Sequence, residues 1–91
     1  MLSESGVTQI EKRIQRIGRN PRNVSSEELV AILTALGFDC RGGKGSHRCY
    51  RHPNLPGVLL TVPMQTPLRR VYVLQSLNAI HRLREVMDDD E

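Results

Sequence analysis

Residues 38–62 read FDCRGGKGSHRCYRHPNLPGVLLTV, and their punctuation decides the fold. Two breaks divide the stretch. The first is Gly42-Gly43, extended by Lys44-Gly45; the second is Pro53-Asn54-Leu55-Pro56-Gly57. Between and around them lie three short strand signals. Positions 38–41 alternate. Positions 46–52 alternate as well, with His47, Cys49 and Arg51 on one side and Ser46, Arg48, Tyr50 and His52 on the other. Positions 58–62 are the most apolar run, and Pro63 ends it because proline brings no N–H to a ladder.

Helix signals flank these strands. Ser25 is a good N-cap, and Glu28 three residues later completes the pattern of a capping box. Leu29, Val30, Ile32, Leu33 and Leu36 then share one face, and Gly37 occupies the C′ position, so the spacing predicts a helix over 25–36. On the far side, Thr66 as N-cap and Pro67 at N1 predict a helix over 68–87, with Val73, Leu77, Ile80 and Leu83, and Leu74 beside them, as its apolar stripe. The order strand–strand–strand between two amphipathic helices predicts an α+β domain. Its three-stranded antiparallel sheet carries both main helices on one face and leaves the other open to solvent.

Near the start, Ile10, Ile14 and Ile17 recur at helical spacing, with Val7 one step earlier, and Gly18 and Asn20-Pro21 are expected to stop that helix. The chain therefore divides into an N-terminal helical extension, 1–23, a main domain, 24–87, and an acidic tail, 88–91. A three-turn helix is marginal alone, so the isoleucine stripe must dock on its own domain or on a partner. The partner is the favoured destination, because the main domain already has two helices for one sheet.

The 91 residues allow a single small core. Phe38, Tyr50 and Tyr72 are the only aromatics, too few for a platform that stacks many unpaired bases. The longest apolar run is far short of a membrane span. No basic segment followed by an apolar one opens the sequence, so secretion is not expected. Cys40 and Cys49 do not make a disulfide scaffold, and a reducing cytoplasm is the expected compartment.

The net charge of +3 hides an asymmetry. Arg41, Lys44, Arg48, Arg51, Arg69, Arg70, Arg82 and Arg84 lie in a stretch without Asp or Glu, while four acids close the chain. Such a field suits a polyanion, and Arg forks suit phosphate; a solvated basic surface is the plainer alternative. Gly42-Gly43-Lys44-Gly45-Ser46 lacks the Gly-Lys-Ser/Thr triplet of a P-loop and precedes a strand, so it reads as a hairpin turn able at most to hold one phosphate. Cys40, His47, Cys49 and His52 are too irregularly spaced for a zinc site, and small core fillers are the simpler reading of both cysteines. His47, after a glycine turn and among Lys44, Arg48 and Arg51, has the proton-accepting atom of a general base; an inconsequential surface histidine is its bland counterpart. His81 reads as solvated or as a phosphate contact.

Lys44-Gly45-Ser46-His47 followed by Tyr50-Arg51-His52-Pro53 resembles the signature of HicA-type toxins, small messenger-RNA interferases of toxin–antitoxin pairs. The resemblance extends over the helix from Glu28-Leu29 to Leu36-Gly37-Phe38, the Val62-Pro63 step and the closing helix, about 24–83. It implies a double-stranded-RNA-binding-like α-β-β-β-α fold. It also implies an endoribonuclease without metal or other cofactor, with His47 as catalytic residue, and a HicB-type antitoxin that covers the site. Lys44, Gly45, Ser46, Arg48 and Arg51 are the expected RNA contacts. In a metal-free ribonuclease the substrate's 2′-hydroxyl is the nucleophile; His47 supplies the base and nearby cations face the phosphorane. His52 is a second candidate only if the strand twists it round. Two other classes compete: a non-catalytic RNA-binding module of the same fold, and a protein-interaction domain acting through the isoleucine helix and acidic tail.

Overall fold

The computed structural model describes residues 9–89. Six elements follow in chain order: α1 Gln9–Arg19, α2 Ser26–Ala35, β1 Asp39–Cys40, β2 His47–Arg51, β3 Leu60–Pro63 and α3 Arg70–Asp89. The strands form one antiparallel sheet in the order β1-β2-β3. Cys40 stands opposite Tyr50, which stands opposite Leu60, and Arg48 stands opposite Val62. The molecule is thus an α+β domain with the α-β-β-β-α order of double-stranded-RNA-binding-like folds and one extra helix in front.

Strand alternation divides the sheet into two faces. Tyr50, Leu60 and Val62 point into the core, where they meet Leu29, Ile32 and Leu33 of α2 and Val73, Ile80 and Leu83 of α3. The opposite face stays open: Asp39, His47 and Arg51 are exposed, and Cys49 and Thr61 are half-buried.

Local chemistry sets the ends of α2. Ser25, in an extended conformation, accepts a hydrogen bond at Oγ from the Glu28 N–H (3.1 Å). The reciprocal arm of the capping box gives way to a longer reach, because the Glu28 carboxylate pairs with Arg16 of α1. At the other end, the Phe38 N–H donates to the Leu33 carbonyl (3.0 Å) and the Gly37 N–H to Thr34 (3.1 Å). With Gly37 at φ +96°, this is a Schellman motif, and buried Phe38 supplies its hydrophobic member.

α1 packs against α2 and α3. Ile17 is fully buried, Ile14 nearly so, and Ile10 lies partly covered beside them; Val7 lies outside the described residues. The isoleucine stripe therefore docks on its own domain, not on the partner favoured from sequence. Two ion pairs tie α1 down: Arg16 to Glu28 and Glu11 to Arg84. Gly18 does not stop the helix, which continues to Arg19.

Other boundaries shift for identifiable reasons. β3 begins at Leu60 rather than position 58, since the Val58 N–H is held by the Leu55 carbonyl of the preceding turn (3.2 Å). α3 begins at Arg70, so Thr66 and Pro67 are not its cap; the Leu68 N–H instead donates to the Val24 carbonyl (2.7 Å), and Leu68 is buried. The buried stripe of α3 includes Ser76 and Ala79 where Leu74 was expected; Leu74 is exposed. Small side chains there let the helix approach its neighbours closely. The tail is helical through Asp89, and positions 90–91 lie outside the described residues.

His52 is buried at the junction of these parts. Its Nε2 lies 2.9 Å from the Leu36 carbonyl, an end group of α2, and its Nδ1 accepts from the Asn54 N–H (3.0 Å). These partners define the tautomer with hydrogen on Nε2. The ring also meets Phe38 edge-on, with centroids 4.9 Å apart. His52→Ala should therefore cost about 2–4 kcal/mol through the opened cavity and two orphaned backbone groups. In a domain this size that lowers the melting temperature by roughly 10–20 °C in a circular dichroism melt. An unchanged melt would remove the clasp.

Candidate functional site

The glycine segment determines where β2 starts and hence where His47 stands. Lys44 to His47 form a tight turn in which the His47 N–H donates to the Lys44 carbonyl (3.0 Å), with Gly45 at φ +60° in its second position. Gly43 lies directly on the strand it precedes. A Cβ there would come within 2.2 Å of the His47 carbonyl oxygen and 2.8 Å of Arg48 Cα, and its φ of +126° is a glycine conformation. The Ser46 carbonyl accepts from the Met64 N–H, tying the turn to the chain leaving β3. Gly43→Ala forces the backbone of His47 and Arg48 to move, whereas Gly42→Ala meets open space and bears backbone strain alone. Any activity that depends on the placement of His47 is expected to fall by more than about 10-fold in Gly43→Ala, since misplacements near 1 Å are costly, and far less in Gly42→Ala; equal losses would discount the close approach.

His47 is the first residue of β2, exposed, and opposite Pro63. Cys49 and Arg51 follow on the same face. Across the sheet from them stand Thr61, opposite Cys49, and Asp39, opposite Arg51. The chain leaving β1 forms a bulge: the Arg41 N–H donates to the Cys49 carbonyl (2.7 Å), and the Cys49 N–H donates to the Gly42 carbonyl (3.0 Å), so two residues oppose one. Asp39, Arg41 and Arg51 together line a cleft of about 470 Å³.

Of the predicted contacts, Lys44, Gly45 and Ser46 gather in the turn next to His47. Arg48 alternates to the other side of β2, exposed at the sheet end. Arg51 shares the His47 face but lies four residues along the strand, about 13 Å away at a strand's rise per residue. Among the described residues, Arg41, Lys44, Arg48, Arg51, Arg69, Arg70 and Arg82 form no ion pair. Arg84 leaves the basic field, because it pairs with Glu11. His81 is exposed on α3, 3.6 Å from Glu85.

Neither cysteine fills the core. Cys40 is exposed, with its thiol 3.7 Å from the Gly42 carbonyl, and half-buried Cys49 touches Thr61 Oγ1 at 3.9 Å on the open face. No group of three potential metal ligands occurs among the described residues. His52 does not twist toward His47; both of its ring nitrogens are engaged elsewhere. Arg41 and Asp39 are the members of this face that the site prediction missed. Alternation of β1 and β2 contained the signal, but the glycine run hid the register that pairs them.

The chain is a small α+β domain with an exposed histidine on a glycine turn and, among the described residues, a field of unpaired cations. The model of the family described as HicA toxin of bacterial toxin-antitoxin matches residues 26–78. This is more than half of the chain, and the chain belongs to that family. No curated protein and no solved structure gave a significant match. Among the described residues, no helix is long and apolar enough to cross a membrane.

Proposed function

We propose that this toxin is a metal-independent endoribonuclease that cleaves messenger RNA in the cytoplasm, with the reaction carried by residues 24–87 and His47 as its base. The observation that carries the reading is the placement of His47: exposed, at the rim of an open sheet face, beside a glycine–lysine turn whose cation has no carboxylate partner among the described residues. An imidazole so placed is reachable by a 2′-hydroxyl of a strand lying on the sheet.

In the reaction, His47 takes the proton of the 2′-hydroxyl, whose oxygen attacks the adjacent phosphorus. The bond from phosphorus to the 5′-oxygen breaks, leaving a 2′,3′-cyclic phosphate, and the 5′-oxygen takes a proton from the imidazolium. Lys44 faces the charge that develops on the phosphorane, and Gly45 and Ser46 line the approach. With His52 committed to α2, one histidine serves both as base and as acid, so the enzyme is slow. A HicB-type antitoxin silences it by covering this face.

The purified toxin, incubated with a mixed-sequence RNA in excess chelator, is expected to cut it and leave cyclic phosphate ends. Cleavage that stops with chelation and returns with a divalent cation would overturn the metal-free route. Binding without any cleavage would favour the RNA-binding module.

A further inference from the structure

We propose that the cleft between β1 and the end of β2 is a nucleotide subsite, in which Arg41 and Arg51 hold an RNA phosphate and Asp39 accepts hydrogen bonds from an amino-bearing base. The proposal rests on the ribonuclease reading above and extends it to substrate selection.

The cleft, lined also by Pro53 and Pro56, has a volume of about 470 Å³, within the range of small-ligand sites. Two of its lining residues, Asp39 and Arg51, belong to the sheet face that carries His47. A strand with its scissile phosphate at His47 and its course along β2 reaches the cleft after about 13 Å, more than one nucleotide step away. Both arginines are exposed and neither is paired with a carboxylate among the described residues, although Asp39 stands directly opposite Arg51 in the ladder. Two free guanidinium groups in one cleft suit a phosphate. Asp39 changes the inference from an anion site to a nucleotide site. A carboxylate only accepts hydrogen bonds and repels phosphate, so a ligand that fits all three must bring a donor as well as a phosphate. Guanine, adenine and cytosine present amino groups, and uracil does not. The proline rings give the base an apolar wall.

Strand alternation supplies the geometry: Arg41 keeps the register of Asp39 two positions earlier, donating its N–H to the Cys49 carbonyl, and lines the same cleft.

The test uses the full chain and single-stranded RNA. Arg41→Ala and Arg51→Ala are each expected to raise KM by about 10-fold, the loss of one charge-assisted contact. Lys12→Ala on α1, with the same change in charge, should leave KM where it was. In the non-cleaving His47→Ala protein, the Arg41→Ala change should reduce the slope of log K against log salt by about 0.7, one phosphate contact on a single strand. Asp39→Asn should alter the base preference at a position displaced from the cut, read from a map of cleavage sites on mixed-sequence RNA. An unchanged KM, salt slope and cleavage map in a toxin that cuts RNA would overturn the subsite alone. Loss of antitoxin affinity with RNA binding intact would make the cleft a protein-docking site and also overturn it. A wild-type chain that neither binds nor cuts RNA would bring down the ribonuclease reading together with the subsite.

Discussion

Replacing His47 with Ala is expected to slow RNA cleavage by about 10²–10⁴-fold, the usual contribution of a positioned acid–base group. In cells making the toxin without its antitoxin, the same change should abolish growth arrest. The side chain is exposed and contributes nothing to the core, so stability should change by no more than about 0.5 kcal/mol. A circular dichroism melt alongside the cleavage assay separates the two effects. RNA affinity should largely survive, because Lys44, Arg48 and Arg51 remain. A folded His47→Ala protein that still cleaves at the wild-type rate would show that another group takes the 2′-hydroxyl proton.

The second large effect concerns a residue far from the sheet. Ile17 of α1 is fully buried in the shared core with α2 and α3. Ile17→Ala should cost about 2–5 kcal/mol, a loss of methyl groups plus the cavity they leave. Native stabilities are typically about 5–15 kcal/mol, so the variant sits near the edge of folding. Its melting temperature should fall by roughly 10–30 °C. Deleting residues 1–22 removes Ile10, Ile14 and Ile17 together and should leave no cooperative melt. A truncated chain that melted normally but lost antitoxin affinity would restore the reading of α1 as a partner-docking helix.

How much of this site could be read in advance differs from residue to residue. The position of His47 at a strand entry was legible because the glycine turn before it is a local feature, and no distant contact is needed to recognise it. His52 misled for the opposite reason. As a polar residue at a strand end it resembled a second catalytic group, yet its role depends on the Leu36 carbonyl sixteen positions away. Arg84 belonged to a basic run by sequence and to an ion pair with Glu11 by structure, a partner 73 residues earlier.

The sequence by itself determined the order of the elements, the caps of α2, the alternation that separates Tyr50 from His47, and the glycine turn that sets the histidine at a strand entry. These follow from interactions within a few residues, where φ and ψ preferences, capping hydrogen bonds and the two-residue period of a strand act directly. Tertiary structure alone decided where α1 docks, which side of α3 is buried, which cations stay unpaired among the described residues, and that Arg41, Arg51 and Asp39 meet in one cleft. Each of these depends on a contact between segments distant in the chain. An amphipathic stripe specifies that it must be covered but not by what, and Ile14 and Ile17 found their cover on α2 and α3. The pairing of β1 with β2 turns on the bulge at Arg41 and Gly42, a single extra residue that shifts the register and that periodicity does not reveal.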